Sequence, residues 1–391
     1  MDKKISVLLV ASIGIIILSA AFCVWFYNQN YGQGTFVNTV VESGCGDGVC
    51  DKTELKKGMC PEDCVSGGAN TAPITNPPVV VDDDTSVNSN VVYLGLMVHL
   101  EKVNDELTNE TSFRNHAAAI RKLAQIFEEH KAKATFESGS RFTQACGKWN
   151  DNVLKELYDQ GQGIGLHADL GGNDNTLTQE EFTQELGQMK TELEQELGLP
   201  VEHVSGICSA SLDWVKGAID TGFKFTTGTV GFCAMSLPLT ERPVEFQNCS
   251  VPTECHGEIP LEIKDRVHPW LTSVAANWLT NDPNGQLAIF PANNIWAAFS
   301  SEDENAGRET FGFDERDIEI YFEKLDEALK YAADDQTNMF YVGWSIGTDE
   351  EIKEELFDQF FAELQPYIDS GQVQWKTFPE MYDKFVEKGQ K

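Results

Sequence analysis

From residue 91 onward, short apolar runs alternate with longer stretches whose apolar residues recur every three or four positions. Residues 91–98 are an apolar run rich in β-formers and read as a strand. Residues 113–130 carry Ile120, Leu123, Ile126 and Phe127 at helical spacing. A short strand follows at 132–136 and runs into Glu137. A helix over 151–160 stops at Gly161, and a buried strand occupies 163–167. Thr178 begins a long amphipathic helix to Leu197, and Glu181 three residues on completes a capping box. Strands at 204–208 and 223–227 flank a helix at 211–221 that Gly222 ends. Further strands are expected at 287–290 and 339–344, and helices at 314–331 and 350–367.

This rhythm is that of parallel strands joined by crossover helices, either a doubly wound sheet or a β/α barrel. Roughly seven strand–helix units in about 300 residues favour the barrel. Two strands share an unusual ending. GQGIGLHADLGG, 161–172, places His167 and Asp169 two apart, and VVYLGLMVHLE, 91–101, does the same with His99 and Glu101. On an extended chain, residues two apart point to one side. Two strands that each deliver a histidine and a carboxylate suggest one shared site.

The first 90 residues follow other rules. Lys3 and Lys4 precede a charge-free run at 5–27, long enough as a helix to cross a bilayer. Residues 1–30 therefore read as an anchor with a cytoplasmic N-terminus; the rival is a cleaved signal peptide, since Ser19 and Ala21 fit a small-x-small cleavage site. Either way the rest lies outside the cytoplasm, and the anchor reading places the protein in the cell membrane, single-pass. At 44–65, Cys45, Cys50, Cys60 and Cys64 read as two disulfides of a small stapled module. Three pairings are open. Asp47, Asp51, Glu54, Glu62 and Asp63 offer oxygen ligands for Ca²⁺, or form a solvated acidic face. Residues 66–90, with Gly-Gly, prolines and an aspartate run, are a flexible linker. The main domain spans 91–391.

Charge narrows the partners. The formal net charge is −33, which opposes binding to a phosphate backbone, so no nucleic-acid partner is expected. Five cysteines fall in the main domain: Cys146, Cys208, Cys233, Cys249 and Cys255. An odd number leaves one free or paired elsewhere, and the last three are expected to staple the insert between Gly231 and Trp270.

Several stretches together resemble the polysaccharide deacetylase (nodulation-protein-B homology) family. They are the opening strand with its ionisable end, EEHKAKATFE (128–137), GIGLHADLGG, GICSASLDWVKGAIDTGFKFTTGT (206–229) and GQVQWKTFPEMYDKF (371–385). The resemblance covers about 91–388 and implies a distorted seven-stranded β/α barrel. It further implies a divalent metal ion and hydrolysis of acetyl groups, on a carbon–nitrogen bond, from a cell-envelope polysaccharide. The departures are specific. Where active members carry Asp-Asp or Asp-x-Glu, this chain has His99-Leu100-Glu101. His167 matches the first histidine of the family's metal pair, but Gly171 stands at the second. The later Arg-x-Pro motif is replaced near Cys208 and Ser209, and the late histidine is absent near 341–345. The resemblance therefore carries fold further than activity.

The residues then sort by role. His99, Glu101, His167 and Asp169 form a candidate metal set suited to Zn²⁺, with Glu101 and Asp169 also the candidate catalytic carboxylates. The bland readings are a satisfied core histidine at 167, a salt bridge from Glu101 to Lys102 or Arg121, and a turn cap at Asp169. Glu137, His268 and Trp270 are candidate substrate contacts, with Trp214, Trp278 and Trp296 as further aromatic faces for sugar rings. His116, His130 and His203 read as exposed or structural. Two other functions stay open: a glycan-binding module that kept the barrel without its metal, and a glycoside hydrolase using Glu101 and Glu137.

Overall fold

The computed structural model describes residues 91–100, 105–170, 176–247, 249, 255, 263–291, 296–297, 315–347 and 353–389. The anchor at 1–30, the cysteine module with Cys45, Cys50, Cys60 and Cys64, the linker at 66–90 and the carboxylate of Glu101 lie outside these residues. Among the described residues no helix is long and apolar enough to cross a membrane.

The chain runs β1 (Val92–Leu100), α1 (Glu110–Glu129), β2 (Ala134–Ser138), α2 (Ser140–Trp149), α3 (Val153–Asp159), β3 (Gly163–His167) and α4 (Gln179–Leu197). Then come β4 (His203–Ser205), α5 (Trp214–Asp220), β5 (Phe225–Thr229), α6 (Ile263–Arg266), β6 (Trp270–Thr272), β7 (Leu287–Pro291) and β8 (Trp296–Ala297). The chain closes with α7 (Glu315–Asp334), β9 (Phe340–Gly347), α8 (Glu354–Asp369), β10 (Val373–Trp375) and α9 (Phe378–Glu387). The capping box at Thr178 forms as its spacing predicts, and Thr377 with Glu380 makes a second one at the start of α9.

The strands form one mixed sheet with helices packed against it. β7-β5-β4-β3-β2-β1-β9 is an unbroken parallel run of seven. β8 extends it in parallel beyond β9, and β6 joins β7 antiparallel. β10 pairs with the first half of β1, below the stretch that β2 uses. The two flanks of the run meet where the Tyr341 amide donates to the Val267 carbonyl at 2.9 Å. This order is consistent with the expected barrel, though β6, β8 and β10 were not foreseen.

Alternation along the strands divides the interior into two cores. Leu94, Leu96, Val98 and Leu100 of β1 pack outward with the helices. Met97 points to the opposite face, into a cluster with Phe225, Phe290, Tyr341 and the apolar side of α9: Phe378, Met381, Tyr382 and Phe385. The C-terminal helix thus fills the inner face. Its approach requires missing side chains. A Cβ on Gly95 would meet Met381 Cε at 2.7 Å, and one on Gly163 would meet Thr135 Oγ1 at 2.7 Å and Thr377 Cβ at 2.9 Å. Thr135 in turn accepts the first free amide of α9, from Phe378, at 2.8 Å. Above this plug, the same face of the sheet carries polar residues.

Three local expectations change. Residues 140–149 form a helix that the sequence pattern did not single out. The strand expected at 204–208 begins at His203 and stops at Ser205, because Gly206 turns with φ +66°. The cysteines pair Cys208–Cys233 and Cys249–Cys255, so Cys233 ties the insert back to the end of β4 instead of closing it on itself.

Cys146 is the unpaired one among the described cysteines, and it is buried. Burial pushes its thiol up to about 12, so almost no thiolate exists near neutrality. We expect Cys146 to resist alkylation in the folded protein and to react fully in denaturant. Peptide mapping after iodoacetamide checks this; full labelling in the native state would contradict the packing.

Candidate metal centre

Strand register builds the site. Parallel pairing sets His99 of β1 beside Glu137 of β2, and Glu137 beside Gly165 of β3. Further round, His167 sits beside Ser205 of β4, and His203 beside Phe225 of β5. Residues of one register row point to the same face. Glu137 and His203 are two strands apart, about 9–10 Å between backbones. They still meet, because Gly165 stands between them with no side chain. A Cβ there would fall 2.1 Å from His203 Nδ1. The Gly-Ile-Gly-Leu-His motif therefore does two things. Gly163 admits α9, and Gly165 admits an imidazole.

Glu137 is the centre. It is 0% exposed, and the side chains of His99, His167, His203, Ser205 and Thr227 reach its carboxylate. His99 Nε2 lies 3.0 Å from Oε2, and His203 Nε2 lies 3.0 Å from Oε1. Ser205 Oγ donates to Oε2 at 2.5 Å, and Thr227 Oγ1 donates to Oε1 at 2.7 Å. His167 Nδ1 is 3.8 Å from Oε2 and 2.8 Å from Ser205 Oγ. The rings of His99 and His167 face each other at 4.7 Å between centroids. Burial alone would raise the Glu137 carboxyl. The imidazoles of His99 and His203 and the hydrogen bonds around it outweigh burial and hold it well below the usual carboxylate range.

A buried carboxylate flanked by two imidazoles is a metal-ligand set in its donor chemistry. One donor atom from each of His99, Glu137 and His167 can be chosen so that all lie within 4.8 Å of one another. In a tetrahedral site with bonds of about 2.0–2.1 Å, donors sit about 3.3 Å apart. His99 Nε2 and Glu137 Oε2 already lie 3.0 Å apart, so binding would draw in chiefly the His167 side. Three protein donors leave one position for water or substrate, the pattern of a catalytic site.

The expected residues separate as follows. His99 and His167 converge. Glu137, expected as a substrate contact, stands between them as a ligand candidate. Asp169 does not share the face of His167. The strand ends at His167, and Asp169 is exposed with φ +47°, so the spacing-of-two rule no longer applies there. Trp270 also departs from its expected role. Its indole is 6% exposed, stacks on Trp278 and donates to the Trp278 carbonyl at 2.6 Å, leaving no free face for a sugar. Trp214 and Trp278 are fully buried. His268 is partly exposed and edges against Trp270 and Phe340.

His203, Ser205 and Thr227 were missed. His203 is fully buried, stacked on Phe225 at 4.7 Å. The signal was present: His-Val-Ser read as a strand puts His203 and Ser205 on one face, the same grammar as His99 and Glu101. Starting that strand one residue late hid it. His116 is likewise buried, against Glu106, away from this centre.

No family model matches this chain, and no curated protein matches it. Solved structures do. A protein from Mycobacterium smegmatis assigned as a polysaccharide deacetylase aligns with a TM-score of 0.50 at 11% identity, over 82% of this chain and 95% of that one. A protein from Pseudomonas aeruginosa PAO1, also assigned as a polysaccharide deacetylase, aligns with a TM-score of 0.50 at 8% identity, over 77% of this chain and 92% of that one. At these identities the likeness is one of fold.

Proposed function

We propose that this chain is a divalent-metal-dependent hydrolase that removes acetyl groups from a cell-envelope polysaccharide. The observation that carries the reading is the buried His99–Glu137–His167 cluster at the polar end of the strands. The fold shared with structures assigned as polysaccharide deacetylases supports the substrate class. Zn²⁺ is the ion that best suits two imidazoles and one carboxylate. The segment at 5–27 would hold the enzyme at the membrane, with the domain outside the cytoplasm.

A bound ion would polarise the acetyl carbonyl and acidify a water molecule. The chain's own groups supply the rest. Hydrolysis adds water across the carbonyl carbon, breaks its bond to the sugar nitrogen or oxygen, and releases acetate. A base must take a proton from the water and an acid must return one to the leaving group. Glu137 serves neither role well, since Ser205, Thr227 and His203 hold its oxygens and its carboxyl is kept well below the usual range. The same fact weighs against a glycosidase built on Glu101 and Glu137, which needs one raised carboxyl. The groups we assign to this proton exchange are Asp169, exposed two residues past His167, and Glu101, one residue past β1.

Metal analysis of the purified protein, then acetate release from acetylated chito-oligosaccharides with and without chelator, tests the reading. We expect near-stoichiometric metal and acetate release that a chelator abolishes and Zn²⁺ restores. A metal-free protein that binds glycan without releasing acetate would move the binding-module reading ahead.

A further inference from the structure

Two strands of the centre lack sheet pairing at the residues that reach it. Ser205 Oγ and Thr227 Oγ1 lie 2.5 and 2.7 Å from the two oxygens of Glu137, and Ser205 Oγ lies 2.8 Å from His167 Nδ1. Ser205 ends β4, and Thr227 stands in β5. The register of β4 with β5 runs through His203–Phe225 and Val204–Thr226 and stops there, one residue short of both hydroxyls. On its other side β5 loses register with β7 between Thr226 and Thr229, where Gly228 turns with φ +63°. The sheet ladder therefore does not set the distance between the two hydroxyls that grip Glu137.

A covalent link takes over at this point. Cys208, in the loop that leaves β4, is bonded to Cys233, in the 3₁₀ turn Gly231–Ser236 that follows β5, with 4.8 Å between their Cα atoms. Cys233 is the anchored end. It is 0% exposed, and its carbonyl accepts from the indole of the fully buried Trp278 at 3.0 Å. The Cys208 end backs onto the strand that carries His167. Gly206 turns with φ +66°, and a Cβ on it would meet the Asp169 amide nitrogen at 2.8 Å and His167 Cε1 at 3.1 Å. The Ala168 amide donates to the Ser205 carbonyl at 3.0 Å, and the Leu170 amide donates to the Gly206 carbonyl at 2.9 Å. The loop is thus held between a cystine rooted in the core and the end of β3.

We propose that Cys208 and Cys233 are positioning residues of the metal centre. Their bond stands in for the β4–β5 ladder that stops short. It keeps Ser205 and Thr227 at the separation that spans one carboxylate, and it presses the loop after β4 against His167. Without it the end of β4 can drift from β3, and Glu137 and His167 lose a shared support. The proposal rests on the metal-dependent reading for its functional meaning, but the brace itself is a property of the metal-free fold. Cys249–Cys255 closes a short loop of the insert, with a sequence separation of 6, and supplies the control.

The test compares Cys208→Ala/Cys233→Ala with Cys249→Ala/Cys255→Ala, each in the full chain. Disturbing the groups that support metal ligands typically weakens binding about 10–100-fold. We expect the first pair to bind Zn²⁺, measured by chelator competition, at least about 10-fold more weakly than the wild type, and the second pair to bind as the wild type does. Hydrogen exchange of the metal-free proteins reads the brace directly. The amides of Ala168 and Leu170 should exchange faster in the first pair alone, while those of β1 and β2 keep their protection, as a local opening requires. General destabilisation would speed exchange throughout and would not single out this edge. Cys208→Val/Cys233→Ala refills buried volume without the link and should behave like the alanine pair; it also serves if the alanine pair does not fold. Wild-type exchange at Ala168 and Leu170, wild-type Zn²⁺ affinity in the alanine pair, or recovery of that affinity by the valine variant would overturn the proposal. If the wild type bound no ion, the metal reading would fall, and exchange at Ala168 and Leu170 would still decide whether the cystine braces β4.

Discussion

Replacing Glu137 by alanine should cost the folded domain roughly 3–5 kcal/mol, the usual loss when one partner of a buried charged network is removed. The same variant should retain no divalent metal. Glu137 is wholly buried, and its two oxygens accept from Ser205, Thr227 and His203, with His99 3.0 Å away. Alanine would leave these donors facing a cavity with no acceptor. Glutamine separates charge from shape. It keeps the volume and one acceptor oxygen, but sets an amide NH2 against donors on one side. It should cost less than alanine, about 1–3 kcal/mol, and still lose the ion. Because the folded carboxyl lies below its unfolded value, its contribution is full above about pH 4.3 and is lost as pH falls through the folded value. The gap between wild type and Glu137→Gln should therefore narrow in acid. Urea unfolding at pH 7 and below pH 4, with metal content on the same samples, reads all three effects. An alanine variant within 1 kcal/mol of wild type would mean that Glu137 is not the keystone of this cluster.

Much of this centre was legible because strand grammar is local. An apolar run with a histidine at its end points that histidine to a definite face, so His99 and His167 could be paired before any contact was known. Glu137 was legible as the residue that the expected strand at 132–136 runs into, and β2 carries it one residue before its end. What defeated the reading was where strands stop. Asp169 lies two residues beyond a strand that ends at His167, and a left-handed turn removes it from the face the spacing assigns. His203 lies at the first residue of a three-residue strand, too short for a periodic signal to mark its start. Pairing across distance was the other gap. Ser205 and Thr227 reach Glu137 across 68 and 90 residues of chain, and only the strand order places them there. Trp270 failed for a general reason: a tryptophan in an apolar context is more often packed than offered to a sugar.

Gly165→Ala should be the most damaging single methyl group in the domain. The added Cβ would lie 2.1 Å from His203 Nδ1 and 2.8 Å from its Cγ and Cε1, far inside contact distance. His203 has nowhere to retreat, since its ring is stacked on Phe225 at 4.7 Å and faces Phe378 at 6.1 Å. Either the imidazole leaves Glu137 or β3 shifts away from β4, and each route also disturbs His167 two residues on. Overpacking of this kind costs about 1–3 kcal/mol and sometimes more, and the loss of the His203 contact adds to it. Gly371→Ala supplies the control. Its φ is +74° but nothing lies within 4 Å, so the only penalty is the left-handed backbone, about 1–2 kcal/mol. We expect Gly165→Ala to unfold at clearly lower urea than Gly371→Ala and to lose Zn²⁺ affinity, while Gly371→Ala binds Zn²⁺ as the wild type does. Equal stability and equal affinity in the two variants would show that the close approach of His203 to β3 is not what holds the centre together.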